Sequence, residues 1–281
     1  VNTSTKQFDI QSVTGESRTF REDTLAVEEP LEIRVGFGLL TARQQESVAI
    51  TMRTPGHDTE LALGFLWTEG ILMAASQVLD VRVRGFALES TPQSIVQVEL
   101  HPDTPVSLEH LDRHFYTTSS CGVCGKTSLE AVHARSRYDL SVDRADWHPQ
   151  AIHGAPERLR EAQAVFDRTG GLHAAALFDT DGNLLLLRED VGRHNAVDKL
   201  IGAFVVRQEL PLSGKMLLVS GRASFELVQK AVMGGIPLLA AVGAPSSLAV
   251  ELAREEGLTL LGFVRGNRFN VYSVPERIAD R

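Results

Sequence analysis

At 281 residues, 43% of them hydrophobic, the chain can form one large domain or two ordinary ones and has ample material for a core. Its formal charge of −8 argues against a nucleic-acid binder, which presents a net basic face. No apolar run approaches the ~20 residues a membrane-crossing helix needs, and the polar, mixed-charge residues 1–22 do not read as a signal peptide, so a cytoplasmic protein without a membrane partner is expected.

In chain order, residues 1–25 read as frayed or edge-bound. Strand-like alternation follows at Leu31–Val35 and Val48–Met52, with Gly36-Phe37-Gly38 suited to a turn. Pro55-Gly56 breaks the chain, Asp58 is the expected N-cap, and Leu61, Phe65, Leu66 and Leu72 recur at near-helical spacing, predicting an amphipathic helix over 58–73. Strands are predicted at 79–83 and 95–100, which makes this half a small α+β unit. The polar stretch 101–126 reads as a linker, followed by helical signals at 127–136 and 156–168.

Beyond it the pattern is more regular. Apolar runs at 172–178 and 184–187 flank Asp181-Gly182, a hairpin signal. Then come helix 193–206, strand 216–219, helix 223–233, strand 236–242, helix 246–256, strand 258–264 and a last strand at 269–274. Continuous apolar strands alternating with helices predict a parallel or mostly parallel sheet covered on both faces.

The two cysteines of the chain share one tetrapeptide, Cys121-Gly122-Val123-Cys124, in a polar glycine-bearing stretch. Zinc wants four ligands and this pair supplies two; His114 and His133 match no familiar zinc spacing. A zinc deaminase needs His-x-Glu, and none of the nine histidines is followed two residues on by glutamate. A thioredoxin-like dithiol should leave a buried strand, whereas four hydroxyl residues precede Cys121. A persulfide carrier needs an accessible thiolate on a flexible arm, which Gly122, Gly125 and Lys126 suit. Two incidental thiols are the remaining alternative.

Three glycine-bearing loops follow or adjoin predicted strands: 189–199 with Arg193 and His194, Ser220-Gly221-Arg222-Ala223-Ser224, and 262–268 with Arg265 and Arg268. Ligands of open α/β sheets bind beyond the carboxyl ends of the strands, where helix N-termini and guanidinium forks favour phosphate. None of the loops is a Walker or Gly-x-Gly-x-x-Gly sequence, so nucleotide hydrolysis and dinucleotide redox are not supported. Taken singly, each arginine is better explained as a solvated cap or surface ion pair; three loops of similar chemistry at neighbouring strand ends weaken that alternative.

These pieces together resemble the FdhD family of formate dehydrogenase accessory sulfurtransferases. The resemblance rests on Ala62-Leu63-Gly64-Phe65-Leu66-x-x-Glu69-Gly70, Cys121-Gly122-Val123-Cys124-Gly125, His173-Ala174-Ala175-Ala176, Glu189 to Lys199, Ser220-Gly221-Arg222-Ala223-Ser224 and Gly262-Phe263, and spans about residues 25–275. It implies an α/β fold with a cytidine-deaminase-like core, its mostly parallel or mixed sheet covered by helices, over 136–281. A smaller N-terminal α+β unit would occupy 1–115, and a flexible loop carrying the thiols 116–135. It implies a homodimer that takes sulfane sulfur from a cysteine desulfurase and passes it to molybdenum cofactor in its bis-guanine-dinucleotide form, for the formate dehydrogenase catalytic subunit. By the same resemblance Cys121 bears the persulfide and Cys124 is its partner, and Phe263, Val264, Arg265, Gly266, Asn267 and Arg268 contact the cofactor. Arg193, His194, Ser220, Gly221, Arg222 and Ser224 complete the expected phosphate-binding set, with GDP as a ligand mimic and no resident metal. A non-catalytic cofactor chaperone and a dithiol oxidoreductase stay open as alternatives.

Overall fold

The computed structural model describes residues 4–88, 91–105 and 137–280. It opens with an antiparallel ribbon, β1 (Thr5–Thr14) and β2 (Ser17–Ala26), joined by Gly15-Glu16 with Gly15 at φ 60°. The expectation of a frayed or edge-bound start is corrected: the two strands pair along their full length. Their side chains are mostly exposed on both faces, so the apolar alternation that marks a half-buried strand is weak there.

Strands β3 (Glu29–Phe37), β4 (Gln44–Arg53), β5 (Val78–Leu88) and β6 (Thr91–Leu100) form a sheet in the order β4-β3-β6-β5, with β3 and β6 parallel. Period-two alternation turns Leu31, Ile33, Val35, Val96, Val98 and Leu100 into the core. Helix α1 (Asp58–Thr68) lies between β4 and β5 in sequence. It ends five residues before the expected 73, with Gly70 just beyond it at φ 75°. Its N-cap is His57, at φ 58°, rather than Asp58. The Asp58 carboxylate is instead turned into the protein, where Arg53 Nε and Nη2 donate to its two oxygens at 2.9 and 3.0 Å.

The C-terminal half begins with three short helices, α2 (Pro149–His153), α3 (Ala155–Ala162) and α4 (Ala164–Thr169). Then follow β7 (His173–Phe178), β8 (Leu184–Asp190), α5 (Arg193–Arg207), β9 (Met216–Val219), α6 (Phe225–Met233), β10 (Leu238–Ala241), α7 (Ser247–Glu255), β11 (Thr259–Arg265) and β12 (Arg268–Ser273). The sheet order is β12-β11-β10-β9-β7-β8. Only β9, β10 and β11 run parallel; β7 is antiparallel to both β8 and β9, and β12 to β11. The sheet is therefore mixed, not mostly parallel. Asp181-Gly182 and Gly266-Asn267 fold the outer strands back as hairpins, with Gly182 at φ 80° and Gly266 at φ 56°.

Both faces of this sheet are covered. Met216, Leu218, Leu238 and Ala240 pack with Trp147, Ile152 and Leu159. Leu217, Leu239, Ala241 and Val219 pack on the opposite side, in an apolar cluster that continues through α5 and α1 to the four-stranded sheet. At the centre α1 and α5 meet backbone to backbone. A β-carbon on Gly64 would stand 1.8 Å from the Asp198 carbonyl oxygen, and one on Gly202 1.8 Å from that of Glu60.

Polar ties reinforce the crossing. Buried Lys230 donates to both Asp198 oxygens at 2.9 Å and to Thr68 Oγ1 at 2.9 Å. Arg188 on β8 grips Glu60 with two hydrogen bonds. Burial alone would raise the Glu60 pKa, but Arg188 and His57 outweigh it and hold the carboxyl at about 2. No described helix is long and apolar enough to cross a membrane.

Candidate functional site

The carboxyl ends of β8, β9, β10 and β11 share one edge of the six-stranded sheet, and four corners line it in a row. A backbone ladder fixes their spacing. Ser220 N donates to Ala174 O at 3.0 Å, Gly243 N to Gly221 O at 2.9 Å, and Phe263 N to Gly243 O at 3.0 Å.

The first corner, Val191-Gly192, opens α5 and is organised by Asp190, whose side chain is fully buried. Its Oδ1 accepts from Gly192 N at 2.8 Å and Asn195 Nδ2 at 3.0 Å. Its Oδ2 accepts from Thr54 N at 3.1 Å and pairs with Lys199 Nζ at 2.7 Å. The loop that presents Arg193 is thus anchored both to its own helix and to the end of β4. Asp190→Ala leaves the buried Lys199 ammonium without its carboxylate, and is expected to cost about 3–5 kcal/mol in urea denaturation. Replacing both partners, as Asp190→Leu with Lys199→Met, should recover most of that loss.

The second corner, Ser220 to Ser224, joins β9 to α6. Ser220 Oγ accepts from Ala174 N at 2.9 Å, which fastens the corner to the start of β7. Ser224 is the N-cap of α6 but its hydroxyl does not cap the helix; it lies 3.4 Å from His194 Nε2. His194 also stands 3.8 Å from Glu226 and is buried. Arg222 is exposed.

The third corner, Val242 to Ser246, was missed by sequence reasoning. It joins β10 to α7 and runs beside the second, with Ser246 N bonded to Ala223 O at 3.0 Å and Ser246 Oγ capping Ala249 N at 3.2 Å. Gly243-Ala244-Pro245-Ser246 between an apolar strand and a helix was the available signal.

The fourth corner is Phe263, at φ 55° in a bulge of β11, followed by the hairpin tip Arg265-Gly266-Asn267-Arg268. The Val264 side chain is fully buried in the core, which leaves its backbone for any contact at this edge. Arg265, Gly266, Asn267 and Arg268 are exposed, and the Arg265 guanidinium stands 5.8 Å from the Phe263 ring centre. Among the described residues, the side chains of Arg193, Arg222 and Arg268 make no ion pair or hydrogen bond. The edge therefore carries uncompensated positive charge on a chain of net −8, together with backbone corners and helix starts suited to anions.

A second missed residue is His173, at the start of β7 on this edge. Burial and the Arg193 charge lower its pKa, against an upward pull from Asp190.

Cys121 and Cys124 lie outside the described residues. So do His114, His133, the helical signal at 127–136 and the boundaries set at 115 and 135. The chain on either side of them is anchored at the opposite, amino edge of the sheet. Arg137 donates to Leu72 O at 3.0 Å and stacks on Trp67 at 4.3 Å, while Trp67 Nε1 donates to Met233 O, at the far end of α6. On the other side, His101 N is bonded to Gln77 O, immediately before β5.

The sequence model of the FdhD/NarQ family matches residues 26–279 of the chain. The chain is 52% identical to a sulfur carrier protein FdhD of Mycolicibacterium paratuberculosis over 271 residues, covering 96% of this chain and 97% of that one. It is 53% identical to one from Streptomyces coelicolor, covering 93% and 91%, and 41% identical to one from Saccharolobus solfataricus, covering 97% and 98%. A crystal structure of a formate dehydrogenase accessory protein from Desulfotalea psychrophila superposes with a TM-score of 0.73 at 21% identity, over 99% of this chain and all of that one. That likeness shows a shared fold.

Proposed function

The chain belongs to the FdhD/NarQ family and is a sulfurtransferase that serves formate dehydrogenase by way of a cysteine persulfide, and from that premise we propose that Cys121 carries the sulfur and the carboxyl edge of the six-stranded sheet holds the acceptor. Family membership selects this chemistry over the chaperone and dithiol-oxidoreductase alternatives. The Cys121 thiolate attacks the terminal sulfur of a cysteine desulfurase persulfide. One S–S bond forms, another breaks, and the donor thiolate leaves.

The acceptor in this reading is the molybdenum cofactor with its two guanine dinucleotide arms, destined for the formate dehydrogenase catalytic subunit. The observation that carries it is the row of unpaired guanidinium groups over phosphate-suited corners. Arg193, Arg222 and Arg268 are the groups proposed to take phosphate oxygens, with the Ser220 hydroxyl and the Gly221 N–H as further donors, since Ser220 N and Phe263 N are already bonded to Ala174 O and Gly243 O. Val264 belongs to the proposed segment through its backbone. A homodimer in the cytoplasm and a deaminase-like core to the mixed sheet belong to the same proposal.

The anchors at the amino edge set a distance problem. Cys121 lies sixteen positions from Pro105 and sixteen from Arg137; a chain of that length, fully extended, spans at most about 55 Å. Crossing the sheet along a seven-residue strand takes roughly 23 Å, so the thiol can load at one edge and deliver at the other.

Incubation with a cysteine desulfurase and cysteine should add one sulfur to the peptide containing Cys121, read by mass spectrometry. A peptide that stays unmodified while the donor turns over rules the assignment out. At the other edge, Arg193→Ala or Arg222→Ala should weaken GDP binding by about 1.5–3 kcal/mol each, roughly tenfold to a hundredfold in Kd by calorimetry.

A further inference from the structure

His173 faces the same edge and has been given no role there. It lies directly across from Asp190 in the β7–β8 ladder. Its ring borders the second corner: a β-carbon on Gly221 would meet Nδ1 at 3.7 Å and Cε1 at 3.8 Å. The backbone beneath is pinned by the paired Ala174–Ser220 contacts, which holds the start of β7, and with it His173, beside the open face of Gly221. The ring is partly exposed to solvent and makes no hydrogen bond among the described residues.

The charged groups acting on it come from two elements, Arg193 in the first turn of α5 and Asp190 at the end of β8. The facing corner adds uncharged Ser220 and Gly221, and the exposed Arg222. Burial and the Arg193 charge favour the neutral imidazole in the ligand-free chain.

We propose that His173 is a phosphate-binding residue of the carboxyl edge, taking up a proton when the diphosphate of a guanine nucleotide settles beside Arg193 and the Gly221 corner. The inference rests on the nucleotide reading above. A phosphate placed there offsets the Arg193 field and adds negative charge of its own, and both changes favour imidazolium. The bound state then holds more protons than the free one. By linkage, binding tightens as pH falls through the interval between the free and bound pKa values, by at most about tenfold per pH unit. The direction is opposite for a carboxylate that loses its charge in acid.

The test is calorimetry with GDP as probe at pH 8, 7 and 6, on the wild-type chain and on His173→Gln, which keeps a hydrogen-bonding side chain but does not titrate. Thermal melts establish that the variant is folded. GDP titrates its own terminal phosphate in this range, equally for both proteins, so the difference between them isolates the histidine. Wild-type affinity should rise between pH 8 and pH 6 about fivefold more than that of the variant. Repeating the titration in buffers of different ionisation enthalpy should reveal proton uptake by the wild type that the variant lacks. GDP binding to both proteins with superimposable pH profiles overturns the role of His173. No GDP binding by the wild type at any pH overturns the nucleotide reading itself, and this inference with it.

Discussion

A chain carrying Gly64→Ala or Gly202→Ala is expected not to accumulate as folded protein. Each added methyl group would overlap the backbone of the facing helix, at 1.8 Å from a carbonyl oxygen and 2.6 Å from its carbon. Side-chain rotation cannot relieve this, because the obstacle is main chain on both sides. The helices have to move apart, and they sit at the middle of the apolar cluster that joins the two sheets. Separating them also stretches the Thr68–Asp198–Lys230 network and the Glu60–Arg188 pair, whose members lie on or against the same two helices. Overpacking of a core costs about 1–3 kcal/mol when the surroundings adjust and more when they do not. Against a total stability of about 5–15 kcal/mol, a loss of at least 3 kcal/mol per substitution removes roughly a fifth to three-fifths of the margin, and main-chain overlap that cannot relax removes more. Gly85→Ala is the control: nothing lies within 4 Å of its added carbon, and the residue is exposed. Expression and urea denaturation of the three variants decide the matter. A stable Gly64→Ala chain would mean that the two helices do not touch as described.

The packing that makes these glycines indispensable was not legible in the sequence, although the strands and helices around them were. Continuous apolar runs such as Met216–Val219 and Leu238–Ala241 mark buried strands wherever they pair, and the observed strands fall at the expected positions. Strand direction is a different matter. Nothing in His173-Ala174-Ala175-Ala176 tells which neighbour it will have, and β7 lies antiparallel to β9 because a hairpin and the helix α5 intervene. Asp58 was read as a cap because its type fits that position. Arg53, five residues upstream, supplied a stronger partner that only the turn at Pro55-Gly56 brings within reach.

At the site, the reading keyed on arginine beside glycine, which finds charge but not shape. It located three corners of the carboxyl edge and passed over Val242–Ser246, which carries no charge and contributes backbone alone. It included Val264 because of its place in a contiguous segment. The bulge at Phe263 interrupts the regular alternation of β11, and Val264 turns into the core. His173 escaped because its environment comes from residues 17 and 20 positions away, brought together by strand pairing. The anchoring of Arg137 against Leu72 and Trp67 was equally hidden, since it joins residues more than sixty positions apart.

Cys121→Ala should abolish activation of formate dehydrogenase in a strain that lacks its own copy of this protein, whereas Cys124→Ala should give a different and more informative defect. The reason is electron balance. The terminal sulfur of Cys121–S–SH is sulfane sulfur, and a metal–sulfido group contains sulfide, so delivery takes two electrons. In the proposed release step, attack of the Cys124 thiolate on the inner sulfur would supply them: the Cys121–Cys124 disulfide would form, hydrosulfide would depart to the metal, and a cellular dithiol would then restore the pair. Removing Cys121 removes the site of loading, so no variant persulfide should be seen and activity should fall to the level of the empty strain. Removing Cys124 leaves loading intact and blocks release. Persulfide at Cys121 should then build up, and an added dithiol should restore activity by attacking in place of the missing residue. Mass spectrometry of the loaded protein and the dithiol dependence of activation separate the two variants. Full activity of Cys121→Ala, or a Cys124→Ala chain that neither holds persulfide nor responds to dithiol, would reassign the carrier role to Cys124 or away from the pair altogether.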